Sequence, residues 1–241
     1  MSGAMKALVF AAGLGERMRP LTDHTPKPLL EITGKPLIVW HLEKLAAMGI
    51  KDVVINTSWL AEQFPATLGD GARFGMRLHY AYEGATPLET GGGLWNALPL
   101  LGDGAFLLVN GDVWSDYDFA RLPREPAGLA HLVMVDRPAQ ATHGDFALDA
   151  SGFVREDGEY KLTYSGIGVY RPQLFDGWRD IVPAPALANG KPKFALAPLL
   201  RAHMAAGGIT GEHHRGRWTD VGTPQRLATL DAELAQSAAS T

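Results

Sequence analysis

Two glycines and two basic residues lie close together near the start of the chain. The segment AAGLGERMRPL directly follows the apolar run MKALVF and contains Gly13, Gly15 and Arg17, and Lys27 follows in TPKPLLEITGKPL. Glycines allow backbone N–H groups to approach a phosphate chain closely, and basic side chains supply charge. At about 4 Å and an effective dielectric constant of about 20, one cation and one phosphate charge attract by about 4 kcal/mol. The segment therefore predicts a polyphosphate site; the structural alternative is a turn after a strand, with solvated basic residues.

Two other glycine-rich phosphate motifs do not fit this segment. The GxxxxGK[ST] motif fails because LLEITGKP lacks the first glycine and has Pro36 where Ser or Thr should be. The GxGxxG dinucleotide fingerprint fails because its third glycine would fall on Met18. A dinucleotide-dependent oxidoreductase is therefore disfavoured.

Two aspartates come at the ends of apolar stretches. Asp112 closes FLLVNGDV, a predicted strand, and Asp220 lies in RGRWTDVGTP, just before a predicted helix. Ligands of open α/β sheets bind beyond the carboxyl ends of the strands. Mg²⁺ commonly takes one or two carboxylates and completes its shell with phosphate oxygens and water. Sequence spacing alone does not show that the two aspartates meet; otherwise Asp112 is a turn residue and Asp220 an ordinary surface acid.

A further group of residues has the chemistry to bind a nucleoside and a sugar. The segment EGATPLETGGGLWNAL places Thr90 before the three glycines Gly91 to Gly93, which open a predicted helix. Helix-opening glycines allow a nucleoside to lie against bare backbone, with amide groups free to bond its base or ribose. The alternative is a tight turn. Asn110, just before Asp112, carries an amide that could bond a sugar hydroxyl.

The elements that must position these residues alternate along the first part of the chain. Five short, nearly continuous apolar runs suit strands buried on both faces of a mostly parallel sheet. Helical patterns lie between them: PLIVWHLEKLAAMG ends on Gly49, and GGLWNALPL starts after Thr90. The pattern predicts a doubly wound α/β sheet. The runs are residues 6–12, 52–57, 78–83, 105–112 and 129–135.

The pattern changes after about residue 140. Short strands broken by Ser-Gly and Asp-Gly follow, as expected of antiparallel hairpins. KFALAPLLRAHMAAGG and TPQRLATLDAELAQ predict helices, the second with Thr223 as its cap and Pro224 at its first position. No linker or repeat interrupts the chain, so residues 5–241 are predicted to form one domain. Residues 1–4 (MSGA) are interpreted as an expression remnant before a natural start at Met5.

The composition excludes several classes of function. A net charge of −4 argues against nucleic acid or an anionic membrane as the main partner. The absence of cysteine excludes disulfides, thiolate zinc sites and thiol nucleophiles. No run approaches the roughly 20 apolar residues of a membrane span, and no segment resembles a signal peptide, so we expect a cytoplasmic protein.

The segment LVFAAGLGERMRPLTDHTPKPLLEITGKPLI, residues 8–38, resembles the signature of the sugar-1-phosphate nucleotidyltransferases (nucleotide-sugar pyrophosphorylases). The likeness continues at VNGDVW and WTDVGTP. Enzymes of this family join a nucleoside triphosphate to a sugar 1-phosphate and release pyrophosphate. The resemblance implies a Rossmann-like, mostly parallel sheet flanked by helices, with a smaller antiparallel sugar-binding subdomain. Residues 5–135 would mainly bind the nucleotide, 136–223 mainly the sugar, and 224–241 would form a C-terminal helix.

The resemblance also implies a role for each candidate residue. Arg17 and Lys27 are the catalytic cations, and Asp112 and Asp220 are the ligands of Mg²⁺. The residues implied to bind the nucleotide are Ala12, Gly13, Leu14, Gly15, Glu16, Arg17, Lys27, Glu83, Thr90 and Gly91. Those implied to bind the sugar are Asn110, Gly144, Lys161 and Ser165. Lys161 departs from the pattern, since the family's sugar-side lysine usually lies in Glu-Lys-Pro and this chain has EDGEYKLTYSGIGVY; the alternative for Lys161 is a solvated hairpin residue.

The base and the sugar are harder to specify than the family. Glu83 stands where several relatives carry glutamine, and a carboxylate accepts from an imide N3–H, which suits uracil or thymine without excluding guanine. EGATPLETGGGL and VNGDVW most resemble the bacterial uridylyltransferases that act on N-acetylmuramic acid 1-phosphate in cell-wall recycling, with UTP as the second substrate. Mannose-1-phosphate guanylyltransferases and glucose-1-phosphate thymidylyltransferases are the alternatives. A non-catalytic nucleotide-sugar-binding regulator is another, although such a protein would be expected to lose Lys27 or an aspartate.

Overall fold

The computed structural model describes residues 4–239, and in it the five apolar runs form strands of one mixed sheet. The interpretation of residues 1–4 falls mainly on residues 1–3, which lie outside the described residues. The strands are β1 (Lys6–Phe10), β2 (Glu31–Ile32), β3 (Lys35–Pro36), β4 (Asp52–Thr57), β5 (Arg77–Tyr82), β6 (Phe106–Asn110), β7 (Val113–Ser115), β8 (Ala130–Val135), β9 (Phe146–Leu148), β10 (Val154–Arg155), β11 (Lys161–Tyr170), β12 (Ala186–Ala188), β13 (Lys191–Lys193), β14 (Ile209–His214) and β15 (Trp218–Asp220). The helices are α1 (Leu37–Ala47), α2 (Gln63–Leu68), α3 (Glu89–Leu101), α4 (Trp178–Ile181), α5 (Ala197–Ala205) and α6 (Pro224–Ala239). No helix in this part of the chain has both the length and the apolar character that a membrane crossing requires.

The main sheet has the strand order β5–β4–β1–β6–β11–β8–β14. β5, β4, β1 and β6 run parallel, with Val9 of β1 in register with Ile55 of β4 and Val109 of β6. β11 is antiparallel to both β6 and β8, and β14 is parallel to β8. The predicted class, a mostly parallel sheet flanked by helices, is confirmed. Small antiparallel pairs, β9–β10, β12–β13 and β7–β15, add to this frame.

Two sequence-based expectations need correction. Helix α3 begins at Glu89 rather than after Thr90, and the Glu83 carboxylate accepts the Leu88 N–H just ahead of its first turn. The segment after residue 140 is predicted to form antiparallel hairpins, and β9 and β10 pair in this way, but β11 also lies inside the main sheet between β6 and β8. A bulge interrupts β11 between Tyr164 and Ile167; before it, β11 still pairs with β8, and its first residues, Lys161 and Leu162, pair with β9.

The central strands separate two apolar layers. Alternate residues of β1 point to opposite faces, so that Val9 packs with α1 and α2, whereas Leu8 packs with α3 and α5. Because both faces of β1, β4 and β6 are covered, their sequences are nearly continuous apolar runs. A third, smaller cluster joins Met18 to Leu230 and Leu234. Helix α6 therefore packs against the glycine segment (residues 11–19).

The start of α6 agrees with its predicted cap. The Thr223 hydroxyl accepts the Arg226 N–H at 3.3 Å, one turn into the helix. Farther along, the Asp231 carboxylate accepts the Thr33 N–H at 2.6 Å, in the turn between β2 and β3. These contacts tie the end of the described chain to its beginning.

His41 of α1 connects this frame to the end of β6. Its Nε2 lies 2.8 Å from the carbonyl oxygen of Val113, the residue after Asp112. Burial and, to a smaller extent, the nearby Lys44 ammonium lower the pKa of His41 from 6.5 to about 4, against the opposing effects of the Val113 carbonyl and Asp112. The folded protein therefore contains neutral His41 over most of the acidic range, with Nε2–H donating to Val113.

We expect His41 to make stability depend on pH between about 6.5 and 4. As pH falls through 6.5 the unfolded chain binds a proton at His41, whereas the folded chain does so only near pH 4, so stability is lost across this window. A pKa shift of this size in His41 corresponds to a change of about 3 kcal/mol in the free energy of unfolding. His41→Gln keeps a side-chain donor but does not titrate. Urea unfolding of the wild type and of His41→Gln from pH 8 to pH 4 measures this effect. The difference in unfolding free energy between the two proteins should change by about 3 kcal/mol over this range. A difference that stays constant with pH contradicts the role of His41.

Candidate functional site

A cleft opens beyond the carboxyl ends of β1, β4, β5 and β6, and it consists of two adjoining cavities. The smaller cavity, of about 210 Å³, is lined by Phe10, Ala11, Ala12, Gly13, Lys27, Pro28, Asn56, Glu83, Pro87, Glu89, Thr90, Asn110 and Asp112. The larger cavity, of about 530 Å³, is lined by Gly13, Leu14, Gly15, Glu16, Arg17, Met18, Lys27, Thr86, Pro87, Glu89, Asp112, Lys193 and Gly222. Gly13, Lys27 and Asp112 line both cavities, so the two form one continuous cleft at the position expected for open α/β sheets.

The glycine segment is held in its bend by side chains outside the cleft. Gly15 has φ +65°, and a Cβ there would lie 2.8 Å from Cγ2 of Thr22. The Thr22 hydroxyl donates to the Gly15 carbonyl at 2.8 Å, and Trp59 Nε1 donates to the Thr22 carbonyl at 2.9 Å. Met18, which breaks the dinucleotide fingerprint, is buried against α6. The bend is therefore fixed by packing on its outer side, which leaves the Gly13–Arg17 side facing the larger cavity.

Lys27 and Asp112 meet across the cleft. Lys27 Nζ donates to Asp112 Oδ2 at 2.7 Å, and the lysine is only 8% exposed. Burying an ammonium group without a partner is costly, and the carboxylate offsets that cost. The ion pair thus joins the 3-10 turn Lys27–Leu29 to the end of β6.

The two distant aspartates come together through the pairing of β7 with β15. Asp220 is in register with Val113, and the Val221 N–H donates to the Asp112 carbonyl at 2.8 Å. Asp220 Oδ1 pairs with Arg226 Nη1. A Cβ on Gly222 would lie 2.8 Å from Asp220 Oδ2 and 3.3 Å from Arg17 Nη2. Glycine at this position therefore lets the Arg17 guanidinium and the second aspartate approach the same point.

A chain of buried hydrogen bonds forms the floor of the smaller cavity. Asn56 Oδ1 accepts the Ala11 N–H at 2.6 Å, and Asn56 Nδ2 donates to Glu83 Oε1 at 2.5 Å. Glu83 Oε2 accepts the Leu88 N–H at 2.7 Å. Burial raises the pKa of the Glu83 carboxyl, while the bonds from Leu88 and Asn56 act in the opposite direction. Both oxygens of Glu83 already accept hydrogen bonds from the protein.

The helix-opening glycines do not present free amides, which corrects the reasoning applied to Gly91. The N–H groups of Gly91 and Gly92 both donate to the Phe194 carbonyl at 2.9 Å. A Cβ would lie 2.6 Å from the Phe194 ring at Gly91 and 2.4 Å from the Pro192 carbonyl at Gly92. The Thr90 hydroxyl in turn accepts the Leu196 N–H at 2.9 Å. These residues are small because the segment that follows β13 packs directly on them.

Two of the predicted sugar-side residues lie against each other. Gly166 has φ +78°, and a Cβ there would lie 2.5 Å from Nδ2 of Asn110. Ser165 is buried beside it, where its hydroxyl accepts the Ile167 N–H and its carbonyl accepts from Trp218 Nε1 at 2.9 Å. The bulge in β11 therefore brings Ser165 and Gly166 next to the end of β6.

Gly144 and Lys161 form a second contact, apart from the residues that line the two cavities. A Cβ on Gly144 would lie 2.3 Å from the Lys161 carbonyl, so the backbones touch. Lys161 Nζ pairs with Asp157 at 2.8 Å. This ion pair agrees with the alternative of a hairpin residue for Lys161.

Sequence reasoning missed two residues that line the cleft, Asn56 and Lys193, and the ion-pair partner of Asp220, Arg226. Asn56 is a polar residue near the end of the buried run DVVINT, and that position was an available signal. Arg226 lies one turn into α6, six residues after Asp220, where spacing alone gives no reason to expect an ion pair. Lys193 reaches the larger cavity from the β12–β13 hairpin, and no local pattern indicates where that hairpin packs.

Comparisons with known proteins agree with this geometry. The family model described as Nucleotidyl transferase matches residues 6–237. The N-acetylmuramate alpha-1-phosphate uridylyltransferase of Neisseria meningitidis is 46% identical over 95% of this chain and 97% of that protein. The protein of the same name from Caulobacter vibrioides is 34% identical over 98% of this chain and 100% of that protein. A crystal structure from Bacillus anthracis, assigned to the glucose-1-phosphate thymidylyltransferases, has a TM-score of 0.79 at 20% identity and covers 95% of each chain, which supports the fold.

We expect Glu83→Gln to destabilise the protein by about 1–3 kcal/mol, because the amide would place a donor against either Asn56 Nδ2 or the Leu88 N–H. Rotating the Asn56 amide only moves the unpaired donor to the Ala11 N–H. Glu89→Gln removes the same charge at an exposed position of the cleft and serves as the control. Unfolding in urea at pH 7 measures both free energies, and equal stability of the two variants contradicts this account.

Proposed function

We propose that this chain, which belongs to the nucleotidyl transferase family, joins UTP to N-acetylmuramic acid 1-phosphate, giving UDP-N-acetylmuramic acid and pyrophosphate. The names of two relatives that match nearly the whole chain support the choice of base and sugar. The proposed role is cell-wall sugar recycling in the cytoplasm. Mannose-1-phosphate guanylyltransferase and glucose-1-phosphate thymidylyltransferase activities stay as alternatives within the same family.

One observation supports the proposal: Lys27, Asp112 and the glycine segment line one cleft, and the backbone of Asp220 and Val221 pairs directly beside Asp112. Lys27 and Arg17 supply positive charge, and the aspartates supply hard oxygen ligands. A protein that only bound nucleotide sugars would have no need to keep all three of Lys27, Asp112 and Asp220. Their presence together favours catalysis over regulation.

The proposed reaction is an in-line displacement at phosphorus. A phosphate oxygen of the sugar 1-phosphate attacks the α-phosphorus of UTP, and a new phosphorus–oxygen bond forms as the bond to the bridging oxygen of the β-phosphate breaks. The attacking oxygen is already an anion, so no general base is required. Catalysis then rests on positioning and on stabilising negative charge spread over the phosphates. We assign Lys27 to the reacting phosphates, and Arg17 with the Gly13–Gly15 amides to the departing pyrophosphate.

The two aspartates have the chemistry required to hold Mg²⁺. No cluster of three or more metal-binding side chains occurs among residues 4–239, which leaves a two-carboxylate donor set. Within the same residues no hydrogen bond is made to Asp112 Oδ1 or Asp220 Oδ2. Two carboxylate oxygens completed by phosphate and water fit the preference of Mg²⁺, which would supply charge neutralisation at the phosphates. Arg226 and Lys27 orient the two carboxylates through their other oxygens.

The smaller cavity is proposed to hold the base. The end of the cleft near Asn110 is proposed to hold the sugar. Asn56 and Glu83 lie at the floor of the smaller cavity, in a position to meet the polar edge of a pyrimidine. Asn110 and the Gly166 backbone lie side by side at the end of β6, where an amide can bond a sugar hydroxyl. Gly144, Lys161 and Ser165 stay predictions for the sugar side.

We expect Lys27→Ala and Asp220→Asn each to lower turnover at least about 100-fold, because the first removes a positive charge at the reacting phosphates and the second removes a proposed ligand of Mg²⁺. Pyrophosphate release with UTP and N-acetylmuramic acid 1-phosphate measures the rate, and thermal unfolding shows that each variant is folded. Lys51→Ala, which removes a lysine on the surface away from the cleft, is the control and should keep the normal rate. A folded variant of Lys27 or Asp220 with nearly normal turnover would contradict the assigned roles.

A substrate grid tests the proposed function as a whole. Pyrophosphate release is measured for UTP, GTP, dTTP, CTP and ATP against the 1-phosphates of N-acetylmuramic acid, mannose, glucose and N-acetylglucosamine, with Mg²⁺ and with EDTA. We expect release with UTP and N-acetylmuramic acid 1-phosphate, abolished by EDTA and restored by excess Mg²⁺. Release only with GTP and mannose 1-phosphate overturns the specific assignment and keeps the family, whereas undiminished activity in EDTA overturns the assignment of Asp112 and Asp220 to Mg²⁺.

A further inference from the structure

Lys193 lies on the wall of the larger cavity, although it is far from the glycine segment in sequence. It is the last residue of β13, in the β12–β13 hairpin, and it lines the cavity together with Arg17 and Lys27. The side chain is half-buried. Thr86 and Pro87, from the loop that precedes α3, lie on the same wall.

The hairpin that carries Lys193 is fixed to the body of the protein by directional bonds. Asn189 Nδ2 donates to the carbonyl oxygens of Glu83 and Thr86, at 3.0 and 2.8 Å. The Phe194 N–H donates to the Leu88 carbonyl at 3.1 Å, and the Phe194 ring stacks on Trp178 with centroids 4.5 Å apart. Together with the bonds from Gly91 and Gly92, these contacts place the Lys193 backbone beside the cleft without any ligand.

Lys193 and Arg17 differ from the other cations around the cleft in having no counter-ion. Lys27 pairs with Asp112 and Arg226 with Asp220, whereas among residues 4–239 no carboxylate lies within ion-pair distance of Lys193 or Arg17. Glu16 and Glu89 line the same cavity but form no ion pair with either cation. Lys191, two residues before Lys193, donates instead to the Tyr82 carbonyl at 3.2 Å. Arg17 and Lys193 line the same cavity without a counter-ion, so an anion bound in that cavity can pair with both.

We propose that Lys193 binds the β- and γ-phosphates of the nucleotide together with Arg17, and thus forms part of the site for the pyrophosphate product. The assignment of the anion as a nucleotide polyphosphate rests on the proposed function. Arg17 and the Gly13–Gly15 amides approach the diphosphate from one side, and Lys193 approaches from the hairpin. The β12–β13 hairpin also packs on the start of α3. The same hairpin therefore supports the smaller cavity, proposed for the base, and contributes a positive charge to the larger cavity, proposed for the phosphates.

The test compares Lys193→Gln with Lys191→Gln, which removes the same charge from the same strand at a residue outside the phosphate cavity. We expect Lys193→Gln to raise the KM for UTP and the Kd for inorganic pyrophosphate by about tenfold, the loss of one charge-assisted hydrogen bond. The KM for the sugar 1-phosphate and the Kd for uridine, which carries no phosphate, should not change. The salt dependence of UTP binding should weaken in this variant, and Lys193→Arg should restore most of the affinity.

Titration calorimetry with inorganic pyrophosphate and with uridine separates this proposal from the proposed function. If the wild-type chain binds pyrophosphate but makes no UDP-N-acetylmuramic acid, the substrate assignment fails while the Lys193 comparison still decides the phosphate contact. Equal pyrophosphate affinity in the wild type and Lys193→Gln overturns the contact. Equal weakening in Lys193→Gln and Lys191→Gln also overturns it, since the effect would then come from the net charge of the hairpin.

Discussion

The ion pair between Lys27 and Asp112 is the contact on which the cleft depends. Lys27 is nearly buried, and an ammonium group in that position is tolerable only beside a carboxylate. The two charged groups of the pair join the turn after the glycine segment to the carboxyl end of β6, beside Leu29, which packs in the same apolar cluster as Val109 and Val113. The same two groups face both cavities. The geometry of the larger and the smaller cavity is therefore linked through one contact.

The contact in turn depends on the last part of the chain. β15 pairs with β7 directly beyond Asp112, and α6 packs Leu230 and Leu234 against Met18 on the outer side of the glycine segment. The glycine segment is thus supported by residues more than two hundred positions later in the chain. His41 supports the same region from the other side, since its hydrogen bond to the Val113 carbonyl holds the start of β7.

Local patterns were sufficient for the strands of the parallel half and for the glycine segment. The run DVVINT coincides with β4, and the other runs differ from their strands only near the ends, because strands covered on both faces must be apolar throughout. Pairing across long separations was not predictable. Nothing local in β11 indicates that it lies between β6 and β8, and nothing in KPK indicates that its last lysine reaches the cleft. The role of a glycine was also ambiguous in the sequence, because a glycine is required both where a ligand approaches the backbone and where another part of the chain does. At Gly91 the approaching atoms belong to Phe194.

The two cavities of the cleft differ in whether their polar side chains already have partners within the protein. In the smaller cavity, which is proposed to hold the base, Asn56 and Glu83 are hydrogen-bonded to each other and to backbone N–H groups. Their orientation is therefore fixed without a ligand. Such preorganised groups discriminate well between bases, because a wrong base cannot rearrange them without leaving a buried donor or acceptor unpaired. At the end proposed to hold the phosphates, Arg17 and Lys193 have no counter-ion among the described residues, so a bound anion can pair with both. Under the proposed function, affinity would come mainly from the phosphates, which all nucleoside triphosphates share. Selectivity would then come from the base, and the buried Asn56–Glu83 pair is the proposed part of the cleft that distinguishes among the triphosphates.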